Sequence, residues 1–240
     1  MTPRLVRITL AGDALAGMPA PDPAASVRLL LPSPGDDELV VPTWRGNEFL
    51  RSDGQRPAIR TLTPARFDPD ALELDVEIVL HGSGLASAWA AGASPGAAAA
   101  VSGPGRGYAL DAEAPAYLLA GDETAIPAIR QLLEVLPASV PVQVIVEIAA
   151  PDGRAPLPDR ATAVVDWVDQ EQAAPPGAAL AAAVRSAEIP PGSRVWVAGE
   201  AAAVQRIRRH LFDDRGLSRQ QATVRGYWKH GRGGDATDDS

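Results

Sequence analysis

Residues 117–129 read YLLAGDETAIPAI, and this stretch decides the fold. Residues 117–120 form a short apolar run closed by Gly121, the pattern of a buried strand. Gly121 and Asp122 are turn-forming residue types. Thr124 is placed to cap a helix that starts near Ala125 and carries Ile129, Leu132, Leu133 and Leu136. Pro127 falls in its first turn, where a missing N–H costs nothing. A strand, a tight glycine turn and a helix start make a site for a nucleotide phosphate, because backbone N–H groups and the helix dipole face the anion. The same pattern also serves as an ordinary strand-to-helix turn in an α/β domain. These residues by themselves leave both readings open.

Downstream, the pattern alternates between strand and helix. Val142–Ile148 and residues 163–168 read as strands, residues 178–187 as a helix, 194–198 as a strand and 201–212 as a helix. Strands alternating with helices predict βαβ units and a parallel sheet. A ligand of such a sheet lies at the carboxyl ends of its strands, here near Gly121 and Gly199.

Upstream, the period is two. Leu5, Arg7 and Thr9 alternate with Val6, Ile8 and Leu10. Val27–Leu31 is a second strand, residues 58–63 a third, 72–80 a fourth and 98–101 a fifth. Residues 34–57 have weak periodicity and read as loop or edge structure, with Trp44 and Phe49 as its large apolar groups. Short strands joined by Pro/Gly turns predict a small antiparallel barrel. The expected architecture is therefore a β-barrel plus α/β: an antiparallel barrel over residues 1–110, a parallel-sheet nucleotide-binding domain over 111–232, and a disordered acidic tail over 233–240.

Composition narrows the function. The chain has 240 residues, a hydrophobic fraction of 46%, net charge −8 and no cysteine. Thiolate chemistry and thiolate metal sites are excluded. His81, His210 and His230 lie too far apart for a familiar ligand spacing. The negative charge argues against nucleic acid as a partner. No apolar run approaches membrane-spanning length, and the N-terminus lacks a signal-peptide layout. A cytoplasmic monomer without membrane insertion is expected.

Six segments occur in order: RTLT (60–63), VLHGSGLASAWA (79–90), SGPGRGY (102–108), AGDETAIPAI (120–129), WVAGEAAAVQRIRRHL (196–211) and GYWKHG (226–231). Together they resemble the siderophore-interacting protein family, FAD-dependent and NAD(P)H-oxidising ferric-siderophore reductases related to the ferredoxin-NADP reductases. The resemblance spans nearly the whole chain. It implies FAD and NAD(P)H as cofactors, a ferric siderophore as substrate, and no iron ligand on the protein.

The resemblance implies roles residue by residue. Arg60 would pair with the FAD pyrophosphate, where a planar guanidinium fork suits a diphosphate. Thr61, Leu62 and Thr63 would lie along the isoalloxazine edge. The family usually has Tyr where this chain has Leu62, which can cover a flavin but offers no π-face. His81, Gly84, Ala86 and Ser87 would surround the diphosphate at a helix start, with Gly82 and Gly84 allowing close backbone approach. His81 also suits a purely structural role. The reduced nicotinamide cofactor would lie on Gly121, Asp122, Glu123, Thr124, Gly199 and Glu200. Hydride transfer to flavin needs no protein base, so Asp122 and Glu123 are read as ordering the turn or capping the helix. Asp169 follows the third strand where NADPH-using relatives place a positive side chain, and Arg154, Arg160 and Arg185 are the remaining candidates for a 2′-phosphate. The choice between NADH and NADPH is open. Tyr227 or Trp228 would lie by the flavin, with Trp228 taken as the cofactor contact. Lys229, the only lysine, and Arg225 are expected substrate contacts in a locally basic C-terminal stretch that reaches Arg232. Two other readings compete: another flavin-dependent reductase on this scaffold, and a non-enzymatic relict that has lost flavin.

Overall fold

The structure is a computed structural model, and it describes residues 2–33, 36, 38–46, 48–82 and 84–231. Arg232 and the expected tail over 233–240 lie outside the described residues. The chain forms two compact units, one built on residues 4–107 and one on residues 108–230.

The first unit is antiparallel. Its strands are β1 (Leu5–Ala11), β2 (Val27–Leu31), β3 (Thr43–Trp44), β4 (Phe49–Leu50), β5 (Ala58–Leu62), β6 (Pro64–Asp68), β7 (Glu73–Val79) and β8 (Ala100–Val101), with helix α1 at Leu85–Gly92. They make two three-stranded sheets, β1-β7-β6 and β5-β2-β8, and a small β3–β4 hairpin. Alternation sends Val27, Leu74 and Val76 into one apolar cluster and Leu29, Leu31 and Ile78 into another. Each cluster draws on both sheets, so the inner faces share one interior. On β7 the alternate positions are acidic. There Glu77 accepts from Arg7, and Asp75 accepts from Thr9 and Arg66. Strand β6 was not expected. It opens on Pro64 and sits at a sheet edge, where a missing donor is tolerated and the apolar signal is weak.

The second unit is a parallel sheet with helices. It contains β9 (Tyr117–Asp122), α2 (Ile126–Val135), β10 (Val142–Ile148), β11 (Ala163–Asp169), α3 (Ala178–Ser186), β12 (Arg194–Glu200), α4 (Ala201–Arg209) and β13 (Ala222–Trp228). Strand order is β11-β10-β9-β12-β13, and all four ladders are parallel. The chain reverses its direction of growth between β9 and β12, the place where such sheets open a crevice. Leu118, Ala120, Ile145, Val195 and Val197 pack with Leu180 and Val184 from α3, Val204 and Ile207 from α4, and Leu211 from the π-helical turn that follows α4. Helix α2 buries Ile126, Ile129, Leu132 and Leu133. No described helix is long and apolar enough to cross a membrane.

Two local expectations are corrected. Gly121 and Asp122 are not a turn; they are the last residues of β9. A Cβ on Gly121 would stand 2.3 Å from Ala125 Cβ and 2.6 Å from Ala198 O, so glycine is required by packing within the protein. The cap at the following helical turn is Asp122 rather than Thr124. Its Oδ1 accepts from the Thr124 backbone N–H at 3.0 Å and from the Thr124 hydroxyl at 2.5 Å. An acidic cap both satisfies an orphan N–H and complements the helix dipole.

Candidate functional site

Three parallel strands end in buried carboxylates, and each carboxylate caps a helical start. Asp122 closes β9 as just described. Glu200 closes β12 and accepts from the Ala203 N–H of α4 at 2.9 Å. Glu147, near the end of β10, reaches across to α3 and accepts from Gly177 N–H at 2.6 Å and Leu180 N–H at 2.8 Å. Helix N-termini of this kind ordinarily attract a phosphate. Here the chain's own acids take part of that donor set. Glu147 was missed by the sequence reading. The available signal was an acid inside VQVIVEI, since a charge in an otherwise buried strand needs a partner.

The ends of β9, β12 and β13 are tied together through Asp122. Its Oδ2 accepts from the Glu200 backbone N–H at 2.8 Å and from Trp228 Nε1 at 2.8 Å. Burial holds the Asp122 carboxyl above its ordinary range, against the pull of its hydrogen-bond donors. Gly199 makes the approach possible, because a Cβ there would meet Asp122 Oδ2 at 2.6 Å. The β12–β13 ladder shifts register after Gly199. Gly199 pairs with Gly226 but Glu200 pairs with Trp228, so the register steps past Tyr227. A bulge of this kind re-aims the next side chain. Tyr227 then packs edge-on to the buried Trp196. Glu200 Oε1 accepts from the His230 N–H at 3.2 Å. Lys229 lies between these anchored residues and is exposed.

The remaining predicted residues of this unit separate by role. Glu123 is buried, and Gly153 leaves the space its carboxylate fills. Arg160 is occupied as a brace at the end of α2, donating to the carbonyls of Leu133, Leu136, Pro137 and Val140. That removes it as a 2′-phosphate ligand. Arg154 stands 3.9 Å from Asp169. Arg225 lies on β13, a strand not expected from the sequence, where Arg225 and Gly226 break the apolar alternation.

In the first unit, Arg60, Thr61 and Leu62 lie on β5 and Thr63 follows it, buried. Arg60 Nη1 donates to the Ile59 carbonyl at 2.7 Å. Leu62 packs on both apolar clusters, so part of the side chain that the resemblance sets against a flavin is spent on the interior. Ala86 of α1 packs on one of the same clusters, which brings β5 and the start of α1 together. Ser87 is buried, and its Oγ accepts from the His81 backbone N–H at 3.2 Å. His81 is exposed, and its ring lies 3.3 Å from the Cβ position of Gly84. Gly82 and Gly84 have φ of +74° and +81°. Helix α1 starts with no side-chain cap and no acid in its first turn. Among the described residues, no group of His, Cys, Asp and Glu is arranged to hold a metal ion.

Comparison with known proteins follows this division. Residues 1–108 match the family described as siderophore-interacting FAD-binding domain, and residues 114–231 match the one described as siderophore-interacting protein. The ferric vibriobactin reductase ViuB of Vibrio cholerae is 28% identical over 238 residues, which is 97% of this chain and 86% of that protein. The NADPH-dependent ferric-chelate reductase of Escherichia coli is 31% identical over 225 residues, covering 92% and 86%. The crystal structure of a siderophore utilization protein from T. fusca superposes with a TM-score of 0.84 at 36% identity, covering 98% of this chain and 90% of that one.

Proposed function

The chain belongs to the siderophore-interacting protein family, and from that membership we propose that it is a ferric-siderophore reductase, taking electrons from NAD(P)H through FAD to chelated Fe(III). Bound FAD supplies the chemistry, accepting a hydride and giving single electrons to the ferric substrate. Fe(II) is held poorly by such chelators, so reduction releases the metal.

The observation that carries the cofactor assignment is the contrast between helix starts. Those at Glu123, α3 and α4 are each met by a carboxylate, whereas among the described residues the start of α1 has no acid in its first turn and is preceded by Gly82 and Gly84 in left-handed conformations. Open N–H groups beside glycine are what a diphosphate requires. Arg60, whose strand meets α1 at one apolar cluster, adds the positive charge. Thr61, Leu62 and Thr63 then run beside the flavin, and His81, Gly84, Ala86 and Ser87 beside the diphosphate. The carboxyl end of the parallel sheet, with Gly121, Asp122, Glu123, Thr124, Gly199 and Glu200, is the nicotinamide side. Asp122 and Glu200 are engaged with backbone N–H groups, so they shape the site. Lys229 and Arg225 supply positive charge for an anionic chelate. A cytoplasmic monomer supplied with NAD(P)H completes the proposal.

The test uses purified protein with added FAD. Binding gives a flavin spectrum, NAD(P)H bleaches it under nitrogen, and a ferric siderophore restores it with release of Fe(II) to a ferrous indicator. Flavin that bleaches but is not restored by any ferric chelate makes the protein a reductase for another acceptor. Failure to bind FAD overturns the assignment.

A further inference from the structure

The hydrogen bond from Trp228 Nε1 to Asp122 Oδ2 joins the end of β13 to the end of β9, with β12 between them. Asp122 is almost completely buried, and all four of its contacts are donors: the Thr124 N–H and hydroxyl on Oδ1, and the Glu200 N–H and Trp228 indole on Oδ2. Three of these partners are local or belong to the neighbouring strand. The fourth comes from the far strand and from a ring that is still 36% exposed. A core tryptophan would be buried for packing; this one is held by its polar edge and meets the His230 ring edge-on while the residue stays partly exposed. The bulge at Tyr227 is what brings it there, since an unbroken ladder would have set Tyr227 opposite Glu200. Two residues on, the His230 N–H is taken by Glu200 Oε1. The stretch 228–230 is thus pinned at both ends by carboxylates of two different strands.

We infer that Asp122 is a positioning residue, which holds the Trp228 ring and, together with Glu200, sets the exposed residue Lys229 in one geometry at the carboxyl end of the sheet. The inference rests on reading that end as part of the reductase site. Without the anchor, the last residues of β13 would sample many conformers, and a ligand would have to bear the cost of ordering them. Burial at Asp122 disfavours its charged form, and the donors on both oxygens, the Thr124 hydroxyl first and the Trp228 indole next, offset part of that cost.

The test is a double-mutant cycle on the FAD-loaded protein with Trp228→Phe and Asp122→Asn. The phenylalanine keeps an aromatic ring, smaller than the indole, and removes the indole donor. The asparagine keeps the shape, but its NH2 group must face one of the two donor pairs. Each single variant should lower kcat/KM for a ferric chelate by roughly tenfold, the scale of one lost hydrogen bond to a charged group, and mainly through KM. The double variant should be no worse than the poorer single one, because both remove the same contact. The second readout is the Trp228 indole N–H resonance, assigned by its loss in Trp228→Phe. Its exchange with solvent should be slow in the parent protein and fast in Asp122→Asn. Additive losses in the cycle, or an indole N–H that exchanges equally fast in both proteins, overturn the inference. If Asp122→Asn does not fold, Trp228→Phe decides by itself, since it leaves the other three Asp122 bonds in place: unchanged KM overturns the inference. If the parent protein reduces no ferric chelate, the functional reading fails, and slow indole exchange would then identify the anchor as structural only.

Discussion

The Glu147 carboxylate, on a central strand of the parallel sheet, accepts the backbone N–H of Gly177, 30 residues further along the chain, at 2.6 Å. It accepts the Leu180 N–H as well, and it is only 3% exposed. Removing the acid strands two buried donors at the start of α3. Glu147→Ala should therefore destabilise the protein by about 3 kcal/mol, the upper range for unsatisfied buried groups with a charged partner. Urea denaturation measures this. A loss well under 1 kcal/mol would mean that water reaches the helix start.

Gly121 is fixed by its protein neighbours. Gly121→Val would drive a side chain into Ala125 and into the Ala198 carbonyl. Overpacking typically costs about 1–3 kcal/mol, and more where the clash is with backbone that cannot shift. Even Gly121→Ala should lower the melting temperature markedly, and it should do so without any nucleotide present. A normal melting curve for Gly121→Ala would show that β9 and β12 can separate.

Arg60→Ala should weaken FAD binding by about 2–3 kcal/mol, the usual scale for a charge-assisted hydrogen bond. Calorimetric titration of FAD into parent and variant checks the value. Equal affinities would remove Arg60 from the diphosphate site.

The pH dependence of stability has a definite sign at Asp122. Its folded-state pKa is raised by burial above the ordinary carboxylate value of about 3.9. Between those two values the folded state holds the proton more tightly than the unfolded chain does. Stability from this group is therefore lost as pH rises through that window and constant above it. The stability of the parent relative to Asp122→Asn should decline from the acid side of the window to its upper limit. Urea midpoints for both proteins across acid pH test this. A difference that grows with pH would mean a lowered pKa and a carboxylate stabilised by its donors.

Lys229→Ala should reduce kcat/KM for an anionic ferric chelate several-fold, since exposed charge contacts are worth ~1 kcal/mol or less. The effect should fade as salt rises, because the screening length drops from ~10 Å at 0.1 M to ~3 Å at 1 M. Assaying an anionic and a neutral chelate side by side separates charge from position. Equal losses on both would assign Lys229 no electrostatic part.

What the sequence made legible was periodic. The bounds of β10 follow from a run rich in β-branched residues, and the parallel order follows from strands alternating with helices. What it hid was tertiary. Gly121 reads as a turn residue, and only the Ala125 and Ala198 atoms beside it show why it ends a strand. Glu147 caps a helix with no local motif, because its partners lie beyond β11. Strand β13 was missed because its edge position leaves Arg225 and Tyr227 partly exposed and its bulge breaks the alternation. In the first unit, RTLT was found as a motif, but that Leu62 spends part of its side chain on the interior depends on which strands face it.

The single exposed lysine has a practical side. In this sequence an amine-reactive reagent has one side-chain target, Lys229, besides the chain's own amino terminus. A dye or photo-crosslinker attached there needs no engineered cysteine and no removal of competing groups. It would report from the carboxyl end of the sheet, one residue from Trp228, whose indole is close enough to quench or to donate energy. Occupancy of that end could then be followed optically with any ferric chelate, including ones that are never reduced.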